Sequence, residues 1–130
     1  MATTSDSKVI VPARVLMALV FLILGINKVI SWGGTVGYFT KLGIPAPEIV
    51  LGAVVALEVL GSLALIIGWQ VKVAALALAA FTIGTALIGH AFWSAEGPQF
   101  IGQLTQFLKN LAIAGGLLLL AFSSAASDRR

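Results

Sequence analysis

"VAALALAAFTIGTALIGHAFW", residues 73–93, contains no Asp, Glu, Lys or Arg. A helix rises 1.5 Å per residue, so about 20 apolar residues cross the roughly 30 Å of hydrocarbon in a bilayer. This stretch reads as one such crossing, and its reading decides the fold. Three further stretches of similar length carry a single charge each. Residues 9–26 hold Arg14, residues 49–69 hold Glu58, and residues 104–122 hold Lys109. Nowhere do polar and apolar residues alternate with the period of two that a strand or membrane barrel requires. The expected fold is therefore an all-α integral membrane protein, a single four-helix transmembrane bundle with helices over about 9–30, 47–69, 71–93 and 103–122.

Composition agrees. Of 130 residues, 59% are hydrophobic and only 10% charged, against about 25% charged in a soluble domain. A cleaved signal peptide explains the first stretch poorly. Its flank is only mildly basic, through Lys8 and Arg14, and Asn27, Lys28 and Trp32 follow it in place of a small-residue cleavage site. There are no cysteines, which removes disulfides, thiolate metal ligands and thiol redox chemistry together. The net charge of +3 is scattered along the chain. It reads as an orientation signal for a protein whose partner is the lipid bilayer, and not as a nucleic-acid surface.

The connections fit that plan. Residues 31–47 form the longest link, broken by Trp32-Gly33-Gly34 and by Gly43-Ile44-Pro45-Ala46-Pro47. Thr35 to Leu42 is expected to form a short interfacial helix with Tyr38 and Phe39 facing lipid. The second link, near Gln70, is short enough to make an antiparallel hairpin. Four crossings put both termini on one side, with Lys8, Arg14, Lys72, Arg129 and Arg130. The opposite links carry Lys28 and Lys41 together with Glu48 and Glu96. The excess of Lys and Arg places the N- and C-termini in the cytoplasm. Trp32, Trp69 and Trp93 each end a span, as interfacial anchors do.

The polar residues inside the spans are the candidate site. Counting about 1.5 Å per residue from the cytoplasmic edge puts Arg14 at about 8 Å, Glu58 and Asn110 at about 18 Å, Lys109 at about 20 Å, Gln106 at about 24 Å, and Lys28 and His90 at about 28 Å. A charge exposed to lipid near mid-membrane costs at least about 2.5–3.5 kcal/mol. Glu58 and Lys109 share a depth and are expected to pair. Gln103, Gln106, Lys109 and Asn110 occupy one arc of the last helix, about 120° wide at 100° per residue. Arg14, Ala18, Phe21, Gly25 and Lys28 form one stripe of the first helix. Lys28, Glu58, His90, Gln106, Lys109 and Asn110 are thus candidate ligand-binding residues around a polar cavity opening outward. A plainer reading is that they only fix helix register. Arg14 and Asn27 are read as structural polar residues, Arg14 snorkelling to the cytoplasmic face. His90 reads equally as a hydrogen-bonded interfacial side chain. No metal site is expected, because only Glu58, Glu96 and His90 are at hand as ligands. No nucleophile, base and orienting group can be assembled, so catalytic residues are unknown and any enzymatic part is at most that of an accessory subunit.

Five segments in this order resemble the DoxX family of small bacterial membrane proteins. They are "ARVLMALVFLILGINKV" (13–29), "LGIPAPEIV" (42–50), "LEVLGSLALIIGW" (57–69), "KVAALALAAFTIGTALIGHAFW" (72–93) and "QFLKNLAIAGGLLLL" (106–120). The resemblance spans nearly all of 13–120. It implies a multi-pass protein of the bacterial inner membrane, since the family takes its name from a subunit linked to a quinol oxidase and to thiosulfate:quinone oxidoreduction. Other members are membrane partners of soluble redox enzymes. By resemblance, then, the expected function is a membrane subunit or anchor of a redox-associated complex. Quinone is the cofactor so implied, and redox-enzyme subunits or further copies of the chain are the partners. A small proton-coupled carrier, working as a homo-oligomer, and a ligand-free scaffold or assembly factor are the competing readings. Individual residue roles do not transfer from a shared fold.

Overall fold

Glycine and proline set the helix boundaries in the computed structural model, which describes residues 4–123. Five α-helices follow in order: α1 Thr4–Ile30, α2 Trp32–Lys41, α3 Pro47–Ile67, α4 Val71–Gly89 and α5 Pro98–Ala121. A 3₁₀ turn, Phe92–Ser94, lies between α4 and α5. Pro47 and Pro98 open α3 and α5, where a missing N–H costs nothing and a fixed φ favours the helix. That is why α5 begins five residues ahead of the position expected for it, turning the Gly97-Pro98 break into a start. Gly68 ends α3 in the left-handed region at φ 80°, its N–H and that of Trp69 both bonding the Ala64 carbonyl. Gln70, also left-handed at φ 48°, then starts α4 at once.

Four spans are long and apolar enough to cross a membrane: Lys8–Ile30, Pro47–Ile67, Val71–Ser94 and Pro98–Ala121. No strand occurs among the described residues. The outer surface is apolar, with Leu16, Ile49 and Leu119 each 70% exposed or more, as expected where the solvent is lipid. Trp32, Trp69 and Trp93 are exposed at span ends. Arg129 and Arg130 lie outside the described residues.

In packing order the helices run α1, α3, α4, α5. The α1 start, α3 end, α4 start and α5 end share one end of the bundle, here the terminal end. Lys72 lies over the Phe122 ring there, 4.7 Å from its centroid. This half is solid. Ala18, Leu65, Val71, Ala75, Leu78, Leu117 and Ala121 fill it, small side chains letting the helices approach closely. Arg14 is buried at this end. A Cβ on Gly68 would stand 2.5 Å from its Nη1, so the guanidinium sits at the C-terminus of α3, where the helix dipole favours a cation. The Arg14 side chain thus reaches towards the terminal end of the bundle and away from Glu58, which lies ten residues back along α3.

At the other end, α2 caps the bundle. Phe39 is buried and the Tyr38 hydroxyl donates to the Gly89 carbonyl at 3.2 Å. The short helix expected here is present, but Phe39 faces the protein and not the lipid, and Tyr38, still partly exposed, turns its hydroxyl to Gly89. The 31–47 link is held down by them because Phe39 covers apolar surface that α1 and α3 leave open beneath it.

Candidate functional site

Gly25 brings α1 against α3. A Cβ at that position would lie 3.2 Å from Glu58 Cβ and 3.1 Å from Val59 Cγ2. Lys28 is one turn further along α1. Side chains tilt towards the N-terminus of their own helix. The two helices are antiparallel, so Lys28 leans back and Glu58 leans forward until they meet. Lys28 Nζ is 2.8 Å from Glu58 Oε1. Glu58 is 2% exposed and Lys28 22%. Apart from this ammonium, Oε1 has no hydrogen-bond partner among the described residues.

The expected pairing of Glu58 with Lys109 is therefore corrected. Depth placed these two together, but depth ignores direction. Relative to Gln106, Asn110 lies about 40° to one side on α5 and Lys109 about 60° to the other. Asn110 turns inward and is half-buried, while Lys109 is exposed. The roughly 10 Å separating Lys28 from Glu58 in the depth count is closed by the opposed lean of the two side chains.

The pair faces a cavity of about 480 Å³. Lys28, Glu58, His90, Gln106 and Asn110 all line it, and Lys109 does not. Asn27 is exposed elsewhere on α1. Its apolar wall includes Phe21, Leu24, Val54, Phe81 and Ile113, and Phe39, Leu42 and Ile44 roof it. Asn110 Nδ2 donates to Thr85 Oγ1 at 3.1 Å, and Thr85 donates on to the Thr82 carbonyl at 2.9 Å. His90 Nδ1 donates to Gln103 Oε1 at 3.0 Å, which ties the α4 end to the α5 start. Among the described residues no group of three or more His, Asp or Glu side chains could hold a metal ion.

Thr82 and Thr85, and Tyr38 that was expected to face lipid, also line the cavity. One signal was there to read: Thr82, Thr85 and Gly89 fall on one face of an otherwise apolar helix at helical spacing. Tyr38 gave none, since its role depends on how the 31–47 link folds back. The volume suits a small organic ligand, and a mostly apolar wall with a few convergent polar groups is how such sites are built. An ammonium, two amides and a carboxylate with unused acceptor capacity can bind and orient a polar head. They do not form a nucleophile with an activating base.

Fold and site together define a polytopic helical membrane protein with a ligand-sized cavity between its spans. The chain belongs to the DoxX family, whose model matches residues 9–91. It is 35% identical over 121 residues to the inner membrane protein YphA of Escherichia coli K12, covering 91% of this chain and 86% of the relative. It is 38% identical over 111 residues to the inner membrane protein YqjF of the same organism, covering 85% and 80%. With four membrane-spanning helices, the chain is a multi-pass inner-membrane protein. No solved structure matches it.

Proposed function

We propose that this chain is a ligand-binding membrane subunit or anchor of a redox-associated complex, and that its cavity holds a small molecule whose polar head meets Lys28 and Glu58. One observation carries the reading: the Lys28–Glu58 ion pair lies on the wall of a cavity, with Lys28 partly open to it and Glu58 closed in behind. Ion pairs in a low-dielectric interior add little net stability, because desolvation offsets their attraction. Placed on a cavity wall, however, they offer a cation and an acceptor to a guest. A carbonyl oxygen on the head accepts from the ammonium, and a hydroxyl can in addition donate to the carboxylate. A quinone-type molecule satisfies this description, and the family resemblance supports the redox setting.

A carrier needs a second opening on the opposite side. The terminal half of the bundle is filled by Ala18, Leu65, Leu78 and Leu117, which favours binding over transport.

The experiment is native mass spectrometry after mild extraction, comparing the wild-type chain with Lys28→Met and Glu58→Gln. The expected result is a small molecule of reproducible mass on the wild type, at reduced occupancy on both variants while their helicity is kept. Equal occupancy on all three, or none on the wild type across several mild detergents, would overturn the assignment.

A further inference from the structure

We infer that the cavity is loaded sideways from the bilayer, through the gap between α1 and α5, so that its guest is a membrane-dissolved amphiphile with an apolar chain. This rests on the cavity being a ligand site, as proposed above, and adds the route and the class of molecule.

Three observations converge. First, the end nearest water is covered. Phe39 is buried, Leu42 and Ile44 form the roof, and the Tyr38 hydroxyl latches α2 to the α4 end at the Gly89 carbonyl. Secondly, the bundle is open along one side. α1 packs on α3 and α4 packs on α5, but α1 and α5 touch only lightly. They meet at Met17 and Gly116, where a Cβ would stand 3.0 Å from Met17 Cε. Towards the α2 end the cavity is lined from both, by Leu24 and Lys28 on α1 and by Gln106 and Asn110 on α5. A surface groove between them is lined by Leu16, Met17, Val20, Ala112, Ile113 and Gly116, and two of these, Val20 and Ile113, also line the main cavity. Leu24 and Gln106, on opposite lips, line the cavity and yet are exposed.

Thirdly, the lip is polar where lipid should meet it. Gln106, Lys109, Ile113 and Gly116 follow helical spacing along the face of α5 that looks towards α1. Lys109 is exposed, midway along α5 and about 17 Å from either end. A lysine side chain is too short to snorkel that far, and it costs at least about 2.5–3.5 kcal/mol facing hydrocarbon. A head rich in acceptor oxygens, passing the lip on its way to Lys28, offsets that cost. Its apolar chain then lies in the groove against Val20 and Ile113. A hydrophilic metabolite gains nothing from either feature.

The lack of cysteine makes the route measurable. A single thiol is placed in the cavity wall by Val54→Cys, and the chain is reconstituted in vesicles. Labelling rates are compared for a long-chain alkyl maleimide and a permanently charged, membrane-impermeant thiosulfonate, the latter present on both faces. Lateral loading predicts fast alkyl labelling and slow charged labelling. Val20→Trp, or independently Ile113→Phe, narrows the gap and slows the alkyl reagent at least about tenfold, equivalent to a barrier raised by about 1.4 kcal/mol. Tyr38→Phe releases the latch and tests entry through the roof, while Leu119→Trp, on the outer surface away from the gap, leaves the alkyl rate unchanged. Circular dichroism confirms that each variant is folded. The inference is overturned if the charged reagent is as fast as the alkyl one, if Tyr38→Phe accelerates labelling, or if both gap-filling variants leave the alkyl rate unaltered. The assay uses no natural ligand, so its outcome is independent of whether the redox assignment holds.

Discussion

Lys28 and Lys109 are the same residue type in similar helices and have opposite circumstances. Lys28 leans onto Glu58 at 2.8 Å. Lys109 is exposed and has no ion-pair partner among the described residues. Removing one member of a buried pair strands the other charge, at a cost of about 3–5 kcal/mol. Lys28→Met should therefore destabilise the folded chain by that order, and Lys28→Met with Glu58→Leu should recover most of it. Lys109→Leu should stabilise the chain, by up to about 2.5–3.5 kcal/mol, since it breaks no pair within the chain and removes a charge from an apolar surrounding. Unfolding curves in mixed detergent micelles check all three. Which polar residues sit inside the spans was legible in the sequence, because ionisable groups there stand out against an apolar background. Who pairs with whom was not. A depth count carries one coordinate, and the pairing depends on two others: the face each residue occupies and the direction in which its side chain leans.

The helix faces explain how far pattern reading reaches. The α1 stripe of Arg14, Ala18, Phe21, Gly25 and Lys28 is the inward face, with the first four buried. Stripes work here because α1 touches α3 along most of its length. The α5 arc was read less well. It divides between Gln103 and Asn110, which bond across to α4, and Lys109, which shares the helical stripe of Ile113 and Gly116 and is exposed. An arc about 120° wide spans two neighbours, and the sequence does not say where one ends and the next begins. The 31–47 link shows a different limit. Its helix was foreseen from the flanking Gly and Pro residues, but its orientation follows from Phe39 filling space between other elements, which is tertiary information.

At the scale of the whole molecule, the bundle is asymmetric along its axis. One half is a packed core of Ala, Val and Leu side chains, and the other is a roofed cavity with the Lys28–Glu58 pair on its wall. Four-helix architecture was legible because bilayer thickness fixes span length, whereas the cavity arises from helices that part and cannot be counted along a chain. We propose that the cavity lies in the outer leaflet, on the charge distribution: Lys8, Arg14 and Lys72 at the terminal end, against Lys28, Lys41, Glu48 and Glu96 at the other. Single cysteines at Ser94 and at Lys72, probed in intact cells with an impermeant thiol reagent, should label at Ser94 only. Labelling at Lys72 alone would reverse the orientation and leave the site geometry intact.

All of this turns on the ion pair at the cavity wall. Magic-angle-spinning NMR of the chain in lipid, with ¹⁵N in the lysine side chains and ¹³C in the glutamate carboxyls, reads that contact directly. We predict strong dipolar dephasing of one carboxyl signal, abolished by Lys28→Met and by Glu58→Gln and untouched by Lys109→Met. Dephasing that survives Lys28→Met and disappears with Lys109→Met would contradict the account.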